Sequence, residues 1–326
     1  MNKSLTLLLL LIFTFPLFGQ SDMTKIAFIA YWSKGDSYDF KVTKIKKRWT
    51  NDKLTKNDST QYIANFKVID STEKSYTLQW TFKNFLTNSY RENLHKLYEN
   101  KQALNDIVKK YDVTKVIYKT DEYGEFLEII NWKDISALMS NMLGELEKSI
   151  KIRKPDKINE VRQAMAPFAE IYSSKEGIEQ LIVYELQYFH FPFGTEYDTN
   201  EPFEYEQELP NMVGGEQPIK ADAKLSIVET DFENFYCVLK EESTINPDDT
   251  KRQVISLFKK MGIEGKKAEE MMKTAIFDIT DLNYYQYYFD PGVPHRIYGS
   301  RKTLLNMDNT KVENIEELEI ELIYEE

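Results

Sequence analysis

"QYIANFKVIDSTEKSYTLQWTF", residues 61–82, alternates apolar and polar side chains on both sides of a polar link. Apolar residues at every second position predict two strands that each bury one face. These positions are Tyr62, Ala64, Phe66 and Val68, then Tyr76, Leu78, Trp80 and Phe82. The run "SYDFKV" at 37–42 alternates in the same way, and polar links at 50–58 and 70–75 supply turn residues. The sequence therefore predicts a meander of three strands.

Outward from these strands, the chain divides by the period of its apolar residues. It is strand-rich over 25–131, helical over 132–190 and strand-rich again over 200–326. Helices are predicted over 90–111, 135–150 and 156–172, and from an N-cap at Ser173 or Ser174. Two short strands are predicted over 113–120 and 124–131.

These elements predict a single α+β domain over residues 21–326. The expected architecture is a curved antiparallel sheet, half-barrel-like, with several helices packed on one face. The last strand, "ENIEELEIELIYEE" at 313–326, has two open interpretations. It is either an edge strand protected by charge or a paired strand with one solvated face.

Residues 1–20 have the layout of a secretory signal peptide. Lys3 precedes an apolar run from Leu5 to Phe18, and Gly19 and Gln20 lead into polar residues. This run is shorter than the roughly 20 residues that a membrane-spanning helix needs. We expect cleavage, a periplasmic or secreted location, and no transmembrane segment in the mature chain.

The composition is acidic, with 53 Asp and Glu against 42 Lys and Arg and a net charge of −11 at pH 7. Nucleic-acid binding needs a concentrated basic surface, so we expect no nucleic-acid partner. Cys237 is the only cysteine and lies in an apolar alternating run, which predicts a buried residue without a disulfide.

Motifs for common enzyme chemistry are absent from the sequence. It contains no Gly-rich phosphate loop, no Gly-x-Ser-x-Gly elbow and no His-Glu-x-x-His motif. His95, His190 and His295 stand alone, and the acidic stretch at 198–206 does not match a calcium loop. We therefore predict a protein that is not an enzyme, with no cofactor and no metal site.

Two aromatic stretches supply the candidate ligand-binding residues. "YFHFPFG" at 188–194 follows a predicted helix and either gates a hydrophobic cavity or fixes the helix end in the core. "NYYQYYFDPGVPHRIYG" at 283–299 carries aromatic side chains on both faces of a predicted strand, which either fill the core or line a cavity. The candidates are Tyr184, Tyr188, Phe189, Phe191, Phe193, Tyr284 and Tyr288.

The aromatic strand, the Asp-Pro-Gly-x-Pro turn and the return strand within Tyr284–Arg301 resemble exported bacterial proteins of unknown function. Several of those are similar to the LolA-like envelope carriers, in which a curved antiparallel sheet forms a half-barrel capped by helices. The resemblance implies an apolar cavity between sheet and helices, and a lipid or lipoprotein ligand. This chain departs from the carriers in its greater length and in extra helices that can fill such a cavity.

The leading functional hypothesis is an exported envelope protein that binds a hydrophobic ligand such as a lipid. The alternative is a structural or protein-interaction module of the envelope, with a filled core, an envelope protein as partner and no small-molecule ligand. A hydrolase stays open as a third hypothesis, because the members of a Ser-His-Asp triad are distant in sequence.

Overall fold

The computed structural model describes residues 24–83, 106, 113–153, 155–159, 162, 166, 169–170, 172–209, 218–260, 265–307 and 310–324. The signal segment and, apart from Asp106, the helix predicted over 90–111 lie outside these residues, as does much of the helix predicted over 156–172. Some side chains within the described elements, that of Tyr184 among them, are also outside the description.

The described chain is mostly β-strand, with four α-helices. The strands are β1 (Lys25–Ala27), β2 (Ser37–Thr50), β3 (Lys53–Thr72), β4 (Ser75–Lys83), β5 (Val113–Asp121), β6 (Phe126–Ile129), β7 (Glu196–Asp198), β8 (Phe203–Leu209), β9 (Ile219–Asp231), β10 (Tyr236–Ile245), β11 (Ile276–Tyr288), β12 (Val293–Met307) and β13 (Thr310–Leu322). The helices are α1 (Trp132–Arg153), α2 (Lys175–His190), α3 (Pro247–Lys260) and α4 (Gly265–Lys273), with a 3-10 turn at Pro155–Lys157. In this part of the chain, no helix has both the length and the apolar character needed to cross a membrane.

Eleven strands form one antiparallel sheet in the order β6-β5-β4-β3-β2-β13-β12-β11-β10-β9-β8, and the sheet is not closed. Two meanders, β2 to β6 and β8 to β13, are joined where β13 pairs with β2. The predicted meander of the first three strands and the large antiparallel sheet are thereby confirmed. The sequence did not predict the separate two-stranded sheet of β1 and β7.

β13 lies in the middle of the sheet, so its interpretation as an edge strand is wrong. Its glutamates face basic residues of β2: Lys46 lies 3.2 Å from Glu316, and Lys41 lies 2.5 Å from Glu321. Opposite charges directly across two strands favour their pairing. The acidic pattern of β13 therefore specifies a partner strand.

The polar link predicted over 50–58 is instead a tight hairpin. Asn51 and Asp52 have φ angles of 48° and 64°, the left-handed conformations that a type I′ turn requires. β3 begins at Lys53 and runs for 20 residues. The loop prediction was wrong because the first part of β3 is largely exposed on both faces, so that it lacks the apolar alternation of a half-buried strand.

The main core lies between the sheet and α2. The ring of Phe189 packs against Phe40, Phe66 and Trp80, at centroid distances of 5.5, 5.1 and 5.4 Å. We call the side of the sheet that bears these alternating residues the core face. On β11 the core face carries Tyr287, whose hydroxyl donates to the carbonyl of Phe189.

The remaining helices bury apolar residues of their own. On α1 the stripe predicted at intervals of three and four is confirmed by buried Ile135, Met139, Met142, Leu146 and Ile150. Near the start of β11, Met272 and Ala275 pack with Phe277 in a second, smaller cluster that includes Leu305. Between Phe277 and the main core, β11 presents polar residues on the core face, and the candidate site lies there.

Candidate functional site

A groove of about 530 Å³ lies where the last turn of α2 meets β8, β10, β11 and β12. This volume is within the roughly 300–1,000 Å³ of typical small-molecule sites. One side of the groove is aromatic and the other is polar. Its lining includes Tyr188, Phe191, Glu241, Asn283, Tyr285 and Arg301.

The C-terminal end of α2 fixes the aromatic side. The helix begins after Ser174, whose hydroxyl accepts a hydrogen bond from the Gly177 amide at 3.0 Å, in agreement with one of the two predicted N-caps. Tyr188 and Phe191, three residues apart, project to the same side. The ring of Tyr285 stacks against both, at centroid distances of 6.3 and 4.9 Å. The three rings form one apolar surface, on which Tyr188 and Phe191 are only partly buried.

Gly299 on β12 allows Tyr188 to lie against the sheet. A Cβ atom at position 299 would come 2.6 Å from Cε1 of Tyr188 and 2.9 Å from Oδ1 of Asn283. Any side chain there would displace the ring or the amide. The close approach therefore depends on glycine.

Glu241 on β10 is a buried carboxylate on the polar side. It accepts hydrogen bonds from the hydroxyls of Tyr205 and Tyr285, at 3.0 and 3.1 Å, and from Nδ2 of Asn283 at 2.8 Å. No Lys or Arg of the described chain forms an ion pair with it. Burial raises the pKa of both tyrosines and the charge of Glu241 raises it further, so their hydroxyls stay protonated and remain donors.

The hydrogen bond to Glu241 also fixes the amide of Asn283. Because Nδ2 points to the carboxylate, Oδ1 is turned away, and it has no hydrogen-bond partner within the described residues. A buried acceptor without a partner is unfavourable, so a donor brought here by a ligand would be stabilising. Next to Asn283 on the core face, Arg301 donates to Asp281 through Nε and Nη2, at 2.7 Å each.

Four of the seven predicted ligand-binding residues lie at the end of α2, and three of them line the groove: Tyr188, Phe191 and Phe193. Tyr188 and Phe191 form its aromatic side, whereas Phe189 is fully buried in the main core. Phe193 is 3% exposed and lies between Gly124 and Gly292, where a Cβ atom would come 2.8 and 3.0 Å from its ring.

The other predicted residues do not join this cluster. Tyr284 and Tyr288 alternate with Tyr285 and Tyr287 and therefore project from the opposite side of the sheet. The side chain of Tyr184 is outside the described part of the chain.

Tyr288 belongs to an outer aromatic cluster with Tyr236, His295 and Tyr324. Nδ1 of His295 lies 2.7 Å from the hydroxyl of Tyr324, which lies 3.2 Å from the hydroxyl of Tyr288. Burial, and then the bond to Tyr288, raises the pKa of Tyr324 to about 12. The ring of Tyr324 is nevertheless 56% exposed, so this cluster forms a surface.

His190 is enclosed in the core. Its Nδ1 donates to the carbonyl of Gly124 at 2.8 Å, and its Nε2 accepts from the hydroxyl of Tyr118 at 2.9 Å. Burial lowers the pKa of His190 to about 4, so the ring is neutral at pH 7. Both ring nitrogens are used in packing the core, which leaves neither for a metal or a substrate.

The single cysteine is buried, and two glutamates of the acidic stretch form ion pairs. Cys237 is fully buried as predicted, and burial raises the pKa of its thiol to about 12. In the acidic stretch, Glu204 and Glu206 pair with Lys224 and Lys220 at 3.4 and 2.7 Å. Within the described ranges, no group of three or more His, Cys, Asp or Glu is placed to hold a metal ion.

The polar residues of the groove were not predicted. Glu241 and Asn283 follow the alternation of buried residues in β10 and β11, where Leu239 and Tyr285 are their buried neighbours. The signal in the sequence was a charged or amide side chain at a position of a strand where an apolar residue is expected. To predict that Glu241 and Asn283 meet, the strand register is also needed, and this register depends on partner strands distant in the chain.

No protein-family model matches the chain, and no curated protein matches its sequence. Among solved structures, the chain matches the crystal structure of Ail, the attachment invasion locus protein of Yersinia pestis, in complex with the heparin analogue sucrose octasulfate. The match has 4% sequence identity and a TM-score of 0.14, and covers 89% of this chain and 100% of that chain. Similarity at this level supports no inference about fold or function.

Proposed function

We propose that this protein is an exported binding protein of the cell envelope that holds an amphipathic ligand, such as a lipid, in the groove at the end of α2. The observation that supports this most directly is the combination of a groove of about 530 Å³ with the partly exposed rings of Tyr188 and Phe191. The transfer of apolar ligand groups from water onto such a surface is favourable in free energy. Oδ1 of Asn283, which has no partner among the described residues, would accept a hydrogen bond from a polar group of the ligand.

The proposed architecture is a half-barrel with its helices on the concave core face. Three observations support it: α2 contacts Phe40 and Tyr285, the smaller helical cluster contacts Phe277, and all three residues are core-face positions by alternation. Register shifts within five strand pairs support the curvature, since bulges bend sheets. The groove then lies on the concave face, between the end of α2 and strands β8, β10, β11 and β12.

A binding role is favoured over catalysis by the environments of His190 and Cys237. Both side chains are buried. His190 lines the groove, but its two ring nitrogens are bonded to Gly124 and Tyr118. Glu241 is held by three neutral donors in a fixed network. Export rests on the signal-like residues 1–20, and a sequenced N-terminus of the mature protein tests it.

The test of the groove is native mass spectrometry of the protein purified from its own envelope, followed by titration with a fluorescent apolar probe. We expect an extra mass that solvent extraction removes, and saturable probe binding. Phe191→Ser should weaken probe binding about tenfold or more, because a buried aromatic contact is worth about 1.5–3 kcal/mol. Tyr284→Ser, on the other side of the sheet, is the matched control and should leave binding unchanged. A bare mass and no saturable binding would reject the proposal.

The outer aromatic cluster favours a second function, binding of an envelope protein. Tyr324 is 56% exposed, and Phe235, which precedes Tyr236 of this cluster in the chain, is 46% exposed. Exposed aromatic rings are frequent at interfaces. Crosslinking in the native envelope from a photoreactive residue in place of Tyr324 tests this. A single reproducible partner that is lost with Tyr288→Ala and Phe235→Ala supports it, and the absence of a crosslinked partner rejects it.

A further inference from the structure

A basic depression of about 450 Å³ lies on the core face of the sheet, next to the groove. Its lining contains five basic residues and one carboxylate: Lys46, Lys47, Arg48, Lys56, Arg301 and Glu316. Thr303 and Asn314 add a hydroxyl and an amide. The chain as a whole carries a net charge of −11, so a depression lined by five basic residues and one acidic residue differs in charge from the rest of the protein.

The strand register explains how these residues meet. One row across five adjacent strands alternates in charge: Asp58, Lys46, Glu316, Arg301 and Asp281. The row beside it contains Lys56, Arg48, Asn314 and Thr303. In the first row, Lys46 pairs with Glu316 and Arg301 pairs with Asp281. Asp58 pairs with Lys56 of the second row, at 2.5 Å.

Arg48 is the residue whose charge is least compensated. Its Nε donates to Oδ1 of Asn314 at 2.9 Å, which is a neutral acceptor. Among the described residues, no carboxylate lies within ion-pair distance of Arg48. A planar guanidinium with a lysine on the neighbouring strand matches the oxygen geometry of a phosphate group.

The depression and the groove share Arg301 on their borders. Tyr285 pairs with Ile297, which lies four residues before Arg301 on β12. At about 3.3 Å per residue, the two positions are about 13 Å apart along the strand. Tyr188 lies against Gly299, four residues before Thr303, and Arg48 is two strands away from Thr303 in the same row. At about 4.8 Å per strand, Gly299 and Arg48 are therefore about 16 Å apart, a distance that one molecule with an apolar part and an anionic end can span.

We propose that this basic depression binds the anionic headgroup, of phosphate type, of the ligand whose apolar part lies on Tyr188, Phe191 and Tyr285. The proposal rests on the groove function proposed above and assigns its substrate class, anionic amphiphiles. Arg48 and Lys56 contact the headgroup oxygens, and Arg301, held by Asp281, forms the border between the apolar and anionic parts.

The experiment compares three probes by isothermal titration calorimetry on the full mature protein: decyl phosphate, decanol and inorganic phosphate. We expect decyl phosphate to bind at least about tenfold more tightly than decanol, since charge-assisted hydrogen bonds add to the apolar contact. The paired change Arg48→Gln and Lys56→Gln should abolish this preference and leave decanol binding unchanged. The control pair Lys67→Gln and Lys74→Gln, at exposed positions of β3 and of the turn after it, removes the same charge elsewhere.

The outcomes separate the two proposals. Equal binding of decyl phosphate and decanol, unaffected by the paired change, overturns the headgroup site and leaves the groove function intact. Inorganic phosphate binding that the paired change abolishes, without binding of either decyl compound, overturns the groove function and assigns the depression to free phosphate. No binding of any probe overturns both proposals.

Discussion

The carboxylate of Glu185 on α2 forms an ion pair with the ammonium group of Lys44 on β2, beneath the helix and against the sheet. The side chain of Glu185 is 2% exposed, and its Oε1 also accepts a hydrogen bond from the hydroxyl of Tyr62 at 2.6 Å. This pair fixes α2, and with it Tyr188 and Phe191, relative to the core face.

Replacing Lys44 by Met should destabilise the protein by about 3 kcal/mol, because breaking a buried pair leaves an uncompensated charge. Urea unfolding monitored by tryptophan fluorescence measures this. Lys46→Met is the matched control two residues along the strand. Its partner Glu316 is 49% exposed, so its loss should cost less than about 1 kcal/mol. Equal losses in the two variants would contradict the buried-pair argument.

Replacing Gly299 by Ala should cost about 1–3 kcal/mol, since the new Cβ atom overlaps Tyr188 and Asn283. The same change should weaken binding of the apolar probe, because Tyr188 forms one side of the groove. Gly144 in α1 has no atom within 4 Å of an added Cβ, so Gly144→Ala should be neutral or slightly stabilising. Urea unfolding and titration with the apolar probe on both variants test this overlap. If the Gly299→Ala protein were as stable as the Gly144→Ala protein, a Cβ atom at position 299 would not overlap its neighbours.

The strands of this fold could largely be predicted because their signals are local. Period-two alternation identified β2 to β4 and β11, and the helical stripe identified α1. The length of β3 and the position of β13 could not be predicted, because they depend on a two-residue turn and on pairing between residues about 270 positions apart. For the site, aromatic content identified Tyr188 and Phe191. The partners Glu241, Asn283 and Arg301 meet only through long-range register.

Cys237 should be unreactive in the folded protein. Its thiol is fully buried and burial raises its pKa to about 12, so almost none is thiolate at pH 8. Labelling with a chromogenic disulfide reagent should therefore be negligible under native conditions and stoichiometric in denaturant. A Ser71→Cys variant, at an exposed position, should label one thiol rapidly without denaturant. Fast native labelling of the parent protein would contradict the burial of Cys237.

His190 should make the protein less stable as the pH falls from 6.5 towards 4. Its pKa is lowered from 6.5 to about 4 by burial, so within this window the unfolded chain binds a proton that the folded chain excludes. Stability should therefore decrease with falling pH by on the order of 3 kcal/mol, and this contribution should level off below about pH 4. Unfolding in urea at several pH values measures the slope. His190→Gln removes the titrating group, so the stability of this variant should depend less on pH within this window. The variant should also be less stable than the parent protein at pH 7. Exposed carboxylates contribute equally to the pH dependence of both proteins. Parallel profiles for the two proteins would show that His190 is not the group that titrates.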